Sequence, residues 1–411
     1  MASEKGILTV NSERLSQSIT QMGRIGARPG KGVTRLALSH EDGEARDLLV
    51  KWMKLEGLEV KIDEIGNIFG LRKGREPNFK PVLMGSHLDT VINAGIFDGA
   101  VGVLSALEGI RRLNELNIET KRSVCVACFT NEEGVRFQPD MMGSLVASGK
   151  LPVEEAHSRT DDDGKTVKES LEEIGYLGHD HVKPGAYFEL HVEQGPILHS
   201  RGLEIGVVEG VQGIEWYNVS YLGAANHAGT TPIELRRDAL LGVTRLHGGL
   251  NDYIRTTREA LCTIGKLNLE PNAINIIPGK ANFTVDFRAY DHEVFSKGKH
   301  HVKSLIEEAA RKNGLEYTID ILADIDPVHF REETIQIVTN VVNRLGYSST
   351  RLHSGAGHDA QLLHYVCPTG MIFVPSIKGV SHSPLEESSM LDISKGANVL
   401  LNSVLEMAEP L

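Results

Sequence analysis

Short apolar runs that hand over directly to acidic or imidazole side chains constrain this chain more than any other feature. Pro81-Val-Leu-Met-Gly85 leads into His87-Leu-Asp89, and Ser123–Thr130 (SVCVACFT) leads into Glu132-Glu133. A short, wholly apolar run is the form of a strand buried on both faces. Tyr187–Val192 reads as another buried strand, with His191 near its end. Between these runs stand segments with helical spacing: Ala45, Leu48, Leu49, Trp52, Met53 and Leu55 within 41–57, and Val103, Leu107, Ile110 and Leu113 within 98–116. Strands alternating with helices predict an α/β sheet, mostly parallel. Ligand sites in such sheets form beyond the carboxyl ends of strands, which is where these polar residues fall.

The pattern changes near Gly210. From there the order reads strand (214–222), helix (233–255), strand (262–269), strand (281–290), helix (292–313), strand (316–324). This β-α-β-β-α-β order is the ferredoxin-like, split βαβ signature. It predicts a small α+β domain at 213–327 inserted into a larger one made of 1–212 and 328–411. After 328 come a helix (332–345), the glycine-rich loop Ser354-Gly-Ala-Gly-His-Asp359, a strand (370–374) and a closing helix (393–408). A chain of 411 residues is too long for one ordinary core, in keeping with two domains.

The formal net charge of −12 argues against nucleic acid or an anionic membrane as partner. No apolar stretch approaches the ~18–20 residues that span a bilayer. The opening MASEKGILTVNSERL lacks the apolar core of a signal peptide, so the expected compartment is the cytoplasm. Cys125 and Cys128 form a C-x-x-C pattern, but inside a buried strand positions i and i+3 face opposite sides. They read as plain core cysteines.

Three pieces near the strand ends carry the chemistry: His87-Leu88-Asp89, Asp98-Gly99 and Glu132-Glu133. Two divalent ions need a few imidazoles and carboxylates and one carboxylate able to bridge. A metal-bound imidazole usually donates its other N–H to a carboxylate. Asp89, two residues on along an extended chain, is placed to do that for His87. Asp98 is expected as the N-cap of the following helix, where a carboxylate stays ionised and fixed enough to bridge. Of Glu132 and Glu133, one would bind metal and the other would take a proton from water. His191 and His382, both at strand exits of the same sheet, could complete the set. Other motifs fail. HExxH and G-x-S-x-G are absent. Gly355-Ala-Gly-His-Asp-Ala360 formally fits a dinucleotide fingerprint but follows no clear strand. Gly26–Gly32 lacks the P-loop spacing.

Nine ordered segments carry a resemblance that covers nearly the whole chain. They are GSHLDTV (85–91), FDGAVGVL (97–104), NEEGVRF (131–137), ELHVEQGP (189–196), NHAGTTP (226–232), NAINIIPG (272–279), VDFRAY (285–290), SGAGHDA (354–360) and GVSHSPLE (379–386). The chain resembles the amidase, hydantoinase/carbamoylase group of the aminoacylase-type di-zinc hydrolases. Its members include N-carbamoyl-L-amino-acid hydrolases, β-ureidopropionases and allantoate amidohydrolases. The resemblance implies a di-metal aminopeptidase-like catalytic domain and an inserted lid and dimerisation domain. It implies that His87, Asp98 and His191 hold one metal and Asp98, Glu133 and His382 the other. Asp89 would orient His87, and Glu132 would be the catalytic base. His227 would polarise the scissile carbonyl, reaching into the partner subunit's site. Asn275 and Arg288 would hold the substrate carboxylate, while Gln194 and Gly357 would contact the rest of the substrate. Arginine suits a carboxylate because it donates in a planar fork. Alternation puts Arg288 on one strand face with Asp286, which also fits a plain ion pair.

The expected function is therefore hydrolysis of the ureido C–N bond of N-carbamoyl-L-amino acids by a homodimer with two divalent ions per subunit. Zinc leads, and manganese, cobalt or nickel also suit His and carboxylate ligands. Allantoate amidohydrolase or β-ureidopropionase is the nearest alternative reading. N-acyl-amino-acid hydrolase or peptidase is more distant, because peptidases of the superfamily commonly carry an acid where His191 stands. After EEG the family often has Ser-Arg, whereas this chain has Val135-Arg136, and Phe137–Gly143 is also individual.

Overall fold

Val82–His87 and Val124–Phe129 are buried at every position, as their unbroken apolar sequence requires. They pair in parallel, Gly85 opposite Ala127 and His87 opposite Phe129. The two backbones run so close that a Cβ on Gly85 would stand 1.8 Å from the Ala127 carbonyl oxygen. The structure is a computed structural model and describes residues 6–409. The first five residues, where the segment read against a signal peptide begins, lie outside the described residues, as do the last two.

The chain divides into two compact units, one of residues up to Glu209 and from Phe330 onward, the other Gly210–His329. The sheet of the first unit contains β1 (Glu59–Ile62), β2 (Ile68–Arg72), β3 (Val82–His87), β4 (Val124–Phe129), β5 (Ala186–Val192), β6 (Ile205–Val211) and β7 (Thr369–Val374). Their order is β1-β2-β4-β3-β5-β7-β6, with Ser349–Ser354 also paired to β6. The central β4, β3, β5 and β7 are parallel neighbours. β1 with β2, β2 with β4, and β7 with β6 are antiparallel. The sheet is therefore mixed, not mostly parallel as read from sequence. Apolar runs report burial but not direction, and the short turn between β1 and β2 can join only antiparallel strands.

The parallel core points the ends of β3, β4, β5 and β7 the same way, so the residues that follow them meet at one edge. Helices Ala100–Glu115 and Met390–Ala408 pack against β3 and β5. The first helix is capped by Gly99, not by Asp98 as expected. Gly99 adopts φ 62°, and a Cβ there would stand 2.4 Å from the His87 imidazole. Asp98 is thereby released from the cap, and its carboxylate turns toward histidines. Ser349–Ser354 is a strand, which the sequence did not make clear, but the helix after the glycine-rich loop, Asp359–Leu363, spans five residues. Cys125 and Cys128 are buried free thiols.

In the second unit the strand order is (Ala260–Thr263)-(Lys280–Ala289)-(Gly213–Leu222)-(Glu316–Ile325), antiparallel throughout. The single strand expected at 262–269 is two, Ala260–Thr263 and Leu267–Glu270, both paired with Lys280–Ala289. The helix expected from 233 begins at Ala239, where Asp238 caps it. Tyr217, Val219, Tyr221, Phe283, Val285 and Phe287 alternate inward to form this unit's core with the helices Ala239–Thr257 and His292–Lys312. Among the described residues no helix is long and apolar enough to cross a membrane.

Candidate metal centre

The residues that follow the parallel strands converge on Asp98. Its Oδ1 lies 3.1 Å from His191 Nε2 and 3.8 Å from His87 Nε2. Its Oδ2 lies 3.4 Å from His382 Nε2, accepts a hydrogen bond from Gln194 Nε2 at 2.9 Å and another from Ser381 Oγ at 3.1 Å. Glu133 Oε2 is 3.5 Å from the same His382 nitrogen. Two ligand groups result, His87/Asp98/His191 and Asp98/Glu133/His382, each with donor atoms within 4.8 Å of one another. Asp98 belongs to both, which is the geometry a bridging carboxylate needs.

The imidazoles are set in the tautomer that turns the Nε2 lone pair to the centre, where that of His191 accepts the Gly99 N–H at 3.2 Å. His87 Nδ1 lies 2.9 Å from the Asp89 carbonyl oxygen, and His191 Nδ1 lies 2.9 Å from that of Val192. A carbonyl only accepts, so Nδ1 carries the proton in both rings. The orientation of His87 thus runs through the main chain of Asp89, not through its carboxylate as expected; Oδ1 is 3.9 Å away. The carboxylate is used elsewhere. Its two oxygens accept the backbone N–H groups of Glu132 and Glu133, each at 3.2 Å. After β4 ends, those amides have no ladder partner, and a buried carboxylate satisfies both.

Electrostatics shows a site short of positive charge. Burial and the neighbouring carboxylates of Glu133, Asp359, Asp89 and Asp98 push Glu132 well above the usual carboxylate range. Glu133 is pushed up by burial and by Asp98 and Asp89. Burial works against ionising Asp98 too, but the imidazoles of His191, His382 and His87 hold it well below its ordinary value. Burial pushes His87 down to about 4, and Asp98 overrides burial to raise His191 to about 9. His87 Nε2 and Glu133 Oε1 are buried with no hydrogen-bond partner. Orphaned donor atoms amid crowded carboxylates are what a bound cation would resolve, so this set of imidazoles and carboxylates fits divalent metal.

Several residues that sequence reasoning left without a role stand at the same place. Glu386 is pushed up to about 8 by burial and then by Asp98. The His358 ring lies tilted against His191 with centroids 4.6 Å apart, and its Nε2 meets Ser354 Oγ at 2.9 Å. Glu189 has a donor atom within 4.8 Å of those of His191 and His358, and it accepts from Ser86 Oγ at 2.7 Å and from the Ala360 N–H at 2.8 Å. Arg35 is buried and donates from Nε to the Leu88 carbonyl at 2.7 Å, so it clamps the peptide between His87 and Asp89. Glu386 and His358 lie inside segments that sequence comparison picks out, while Arg35 gives no signal. The centre opens into a cavity of about 140 Å³ whose wall includes Asp98, Glu132, Gln194 and Gly357.

The remaining expected substrate residues lie in the second unit. His227 and Asn275 are brought together: Asn226–His227 pairs with Ile276–Ile277, and the Ala228 N–H donates to the Asn275 carbonyl at 2.9 Å. Both side chains are exposed. Arg288 donates to Asp286 from Nε at 2.9 Å and from Nη2 at 2.8 Å, the fork-like pair that alternation allowed.

Comparison with known proteins places this geometry in context. Residues 83–406 match the profile of peptidase family M20/M25/M40. An N-carbamoyl-L-amino-acid amidohydrolase of Rhizobium meliloti is 38% identical over 404 residues, covering 97% of each chain. An allantoate amidohydrolase of Escherichia coli K12 is 33% identical over 98% of this chain and 99% of its own. The crystal structure of an amidase of the hydantoinase/carbamoylase family from Burkholderia multivorans superposes with a TM-score of 0.96. It is 42% identical and covers 98% of this chain and 99% of that one.

Proposed function

The chain belongs to peptidase family M20/M25/M40 and, within it, to the hydantoinase/carbamoylase amidases, and from that premise we propose that it hydrolyses the ureido C–N bond of N-carbamoyl-L-amino acids. The observation that carries this reading is the double ligand group sharing Asp98, with the unliganded acid Glu132 beside it. In our reading His87, Asp98 and His191 hold one divalent ion, and Asp98, Glu133 and His382 hold the other. Two such ions supply a more acidic water and a Lewis acid for the carbonyl. Zinc is the first choice, with manganese, cobalt and nickel open to the same ligands.

Glu132 is the proton carrier. Its backbone is pinned by Asp89 and its carboxylate stands 3.4 Å from His87 Nε2, at the mouth of the ligand set. It takes a proton from the attacking water and returns it to the departing nitrogen. The urea carbon gains the water oxygen, the C–N bond to the amino acid breaks, and the carbamic acid left behind splits its remaining C–N bond to give carbon dioxide and ammonia. Gln194 and Gly357 contact the ureido end of the substrate. His227 donates to the developing oxyanion, a role worth a few kcal/mol in comparable sites. Asn275 and Arg288 hold the carboxylate, Arg288 with its fork preset by Asp286. We assign the second unit to a lid and dimerisation role, with His227 acting in the site of the partner subunit, and place the homodimer in the cytoplasm. The unpaired thiols Cys125, Cys128 and Cys367 support that compartment.

Ammonia release from N-carbamoyl-L-amino acids, allantoate and N-carbamoyl-β-alanine by metal-reconstituted protein tests the reading. Turnover is expected on the N-carbamoyl-L-amino acids. Preference for allantoate would favour the second reading, which the 33% identical allantoate amidohydrolase supports. No turnover on any of them would overturn the proposal.

A further inference from the structure

Asp140 stands in the wall of the catalytic cavity and belongs to neither ligand group. The cavity measures about 140 Å³, and Asp140 shares its wall with Glu132, Gln194 and Gly357. The Asp140 carboxylate is half-buried and accepts a hydrogen bond from its own backbone N–H. Burial pushes it above the ordinary range.

The segment holding Asp140 is fixed. The N–H groups of Met141, Met142 and Gly143 donate to the carbonyls of Glu132, Asn131 and Thr130 at 2.8, 3.2 and 2.8 Å. Asn131 Nδ2 donates to the carbonyls of Phe137 and Pro139 at 2.9 and 3.0 Å. Asp140 packs so tightly on Gly134 that a Cβ on that glycine would meet its Cβ at 2.6 Å. On the other side Met141 lies over Gly357, whose added Cβ would be 3.0 Å from the methionine methyl carbon. A carboxylate on a clamped loop, beside the proton carrier and outside the metal shell, is a preorganised acceptor.

A carbamoyl group differs from an acyl group of the same size in one respect that such an acceptor can read. It ends in –NH2, with two N–H donors, where an acetyl group ends in a methyl. Glu133 Oε1 is buried without a partner, but it belongs to the proposed metal shell and is committed there. Asp140 lines the cavity outside that shell, and Gln194 Oε1, from another wall residue, is a buried acceptor without a partner. We propose that Asp140 is the specificity-determining residue that accepts a hydrogen bond from the terminal –NH2 of the substrate and so selects ureido over acyl substrates. A methyl in that place leaves the carboxylate dry and unpaired, the kind of mismatch that gives large discrimination. This inference rests on the amidohydrolase reading above.

The test compares wild type with Asp140→Asn and Asp140→Ala. Two quantities are read: kcat/KM for an N-carbamoyl-L-amino acid, and the inhibition constant of the N-acetyl derivative of the same amino acid. For Asp140→Ala the first should fall by about 10- to 100-fold while the second stays within about threefold or tightens. Asp140→Asn, which keeps a neutral acceptor, should fall between. Metal content and thermal midpoint check that both variants are folded. Unchanged kcat/KM overturns the inference, and so does an equal loss on both ligands, which would place Asp140 on the part they share. Wild type without ammonia release from any ureido substrate would instead overturn the function proposed above.

Discussion

A carboxyl group buried among other carboxyl groups holds its proton more tightly than one in water, and Glu132 is in that position. The same crowding that raises it makes it a useful acceptor once cations offset the neighbouring charge. Glu132→Gln keeps the shape of the side chain and removes the proton site. The variant should retain two metals per subunit by elemental analysis while kcat falls about 10²- to 10⁴-fold; near-normal turnover would remove the assigned role. Asp63 is a second buried acid, raised to about 6 chiefly by burial, against hydrogen bonds from Asn67 and Ile65. It anchors Asn67, whose Oδ1 accepts the Thr130 N–H two residues before Glu132. A carboxyl whose folded pKa lies above 3.8 contributes most below that pH, and its contribution is lost as pH rises through about 6. In urea unfolding, Asp63→Asn should therefore gain on wild type between pH 4 and 7, by up to about 3 kcal/mol. A pH-independent difference would contradict the shift. Neither Asp63 nor the side-chain contact of Asp89 was legible in the sequence. His87, Asp98, Glu133, His191 and His382 could be picked out because motif spacing marks candidate ligands. Which atom of Asp89 faces His87 depends on where two backbone amides after β4 are left unpaired, and that is a property of the fold.

At the level of elements, the sequence showed which segments are buried but not how they pair. The β3 and β4 runs look alike, yet β2 joins β4 antiparallel while β3 joins it in parallel. Composition carries no strand direction, and only the connections impose it. The loops that bear the ligands are likewise held by groups far off in sequence. Arg35 donates to the carbonyls of Leu88, Met22 and Ile25, at 2.7, 3.2 and 3.0 Å, tying the turn after β3 to the segment that follows the helix Ser12–Met22. Arg35→Met leaves those carbonyls without their donor. Apparent metal affinity, read by competition with a chelator, should weaken about 10- to 100-fold. Arg72→Met is the control. Arg72 bonds Asn114 and the Ile118 carbonyl, each at 2.8 Å, and sits opposite Val124 at the start of β4, away from Glu132. Its loss should leave metal affinity unchanged, and equal effects of the two substitutions would show that Arg35 acts through general stability alone.

For the whole molecule, the two units differ in what they contribute to the proposed centre. Every ligand of the proposed centre comes from the first unit: His87 from β3, Asp98 and Glu133 from the turns after β3 and β4, His191 from β5, and His382 from the loop after β7. The second unit has its own apolar core, built on Tyr217, Phe283 and Phe287, and contributes no residue to these ligand groups. A ligand that binds the folded state and not the unfolded one stabilises it by about 4 kcal/mol at a thousandfold excess over Kd. For a unit of this size that is on the order of 5–10 °C in the thermal midpoint. Metal should therefore raise the transition of the first unit and leave that of the second where it is. The chain has two tryptophans, Trp52 in the first unit and Trp216 in the second. Trp216→Phe leaves a fluorescence reporter on the first unit alone, and Trp52→Phe leaves one on the second. Melting each variant with and without chelator should shift the Trp52 signal by several degrees and the Trp216 signal little. A common shift of both signals would mean that the units unfold as one body, and no shift of either would mean that the residues gathered around Asp98 do not hold metal.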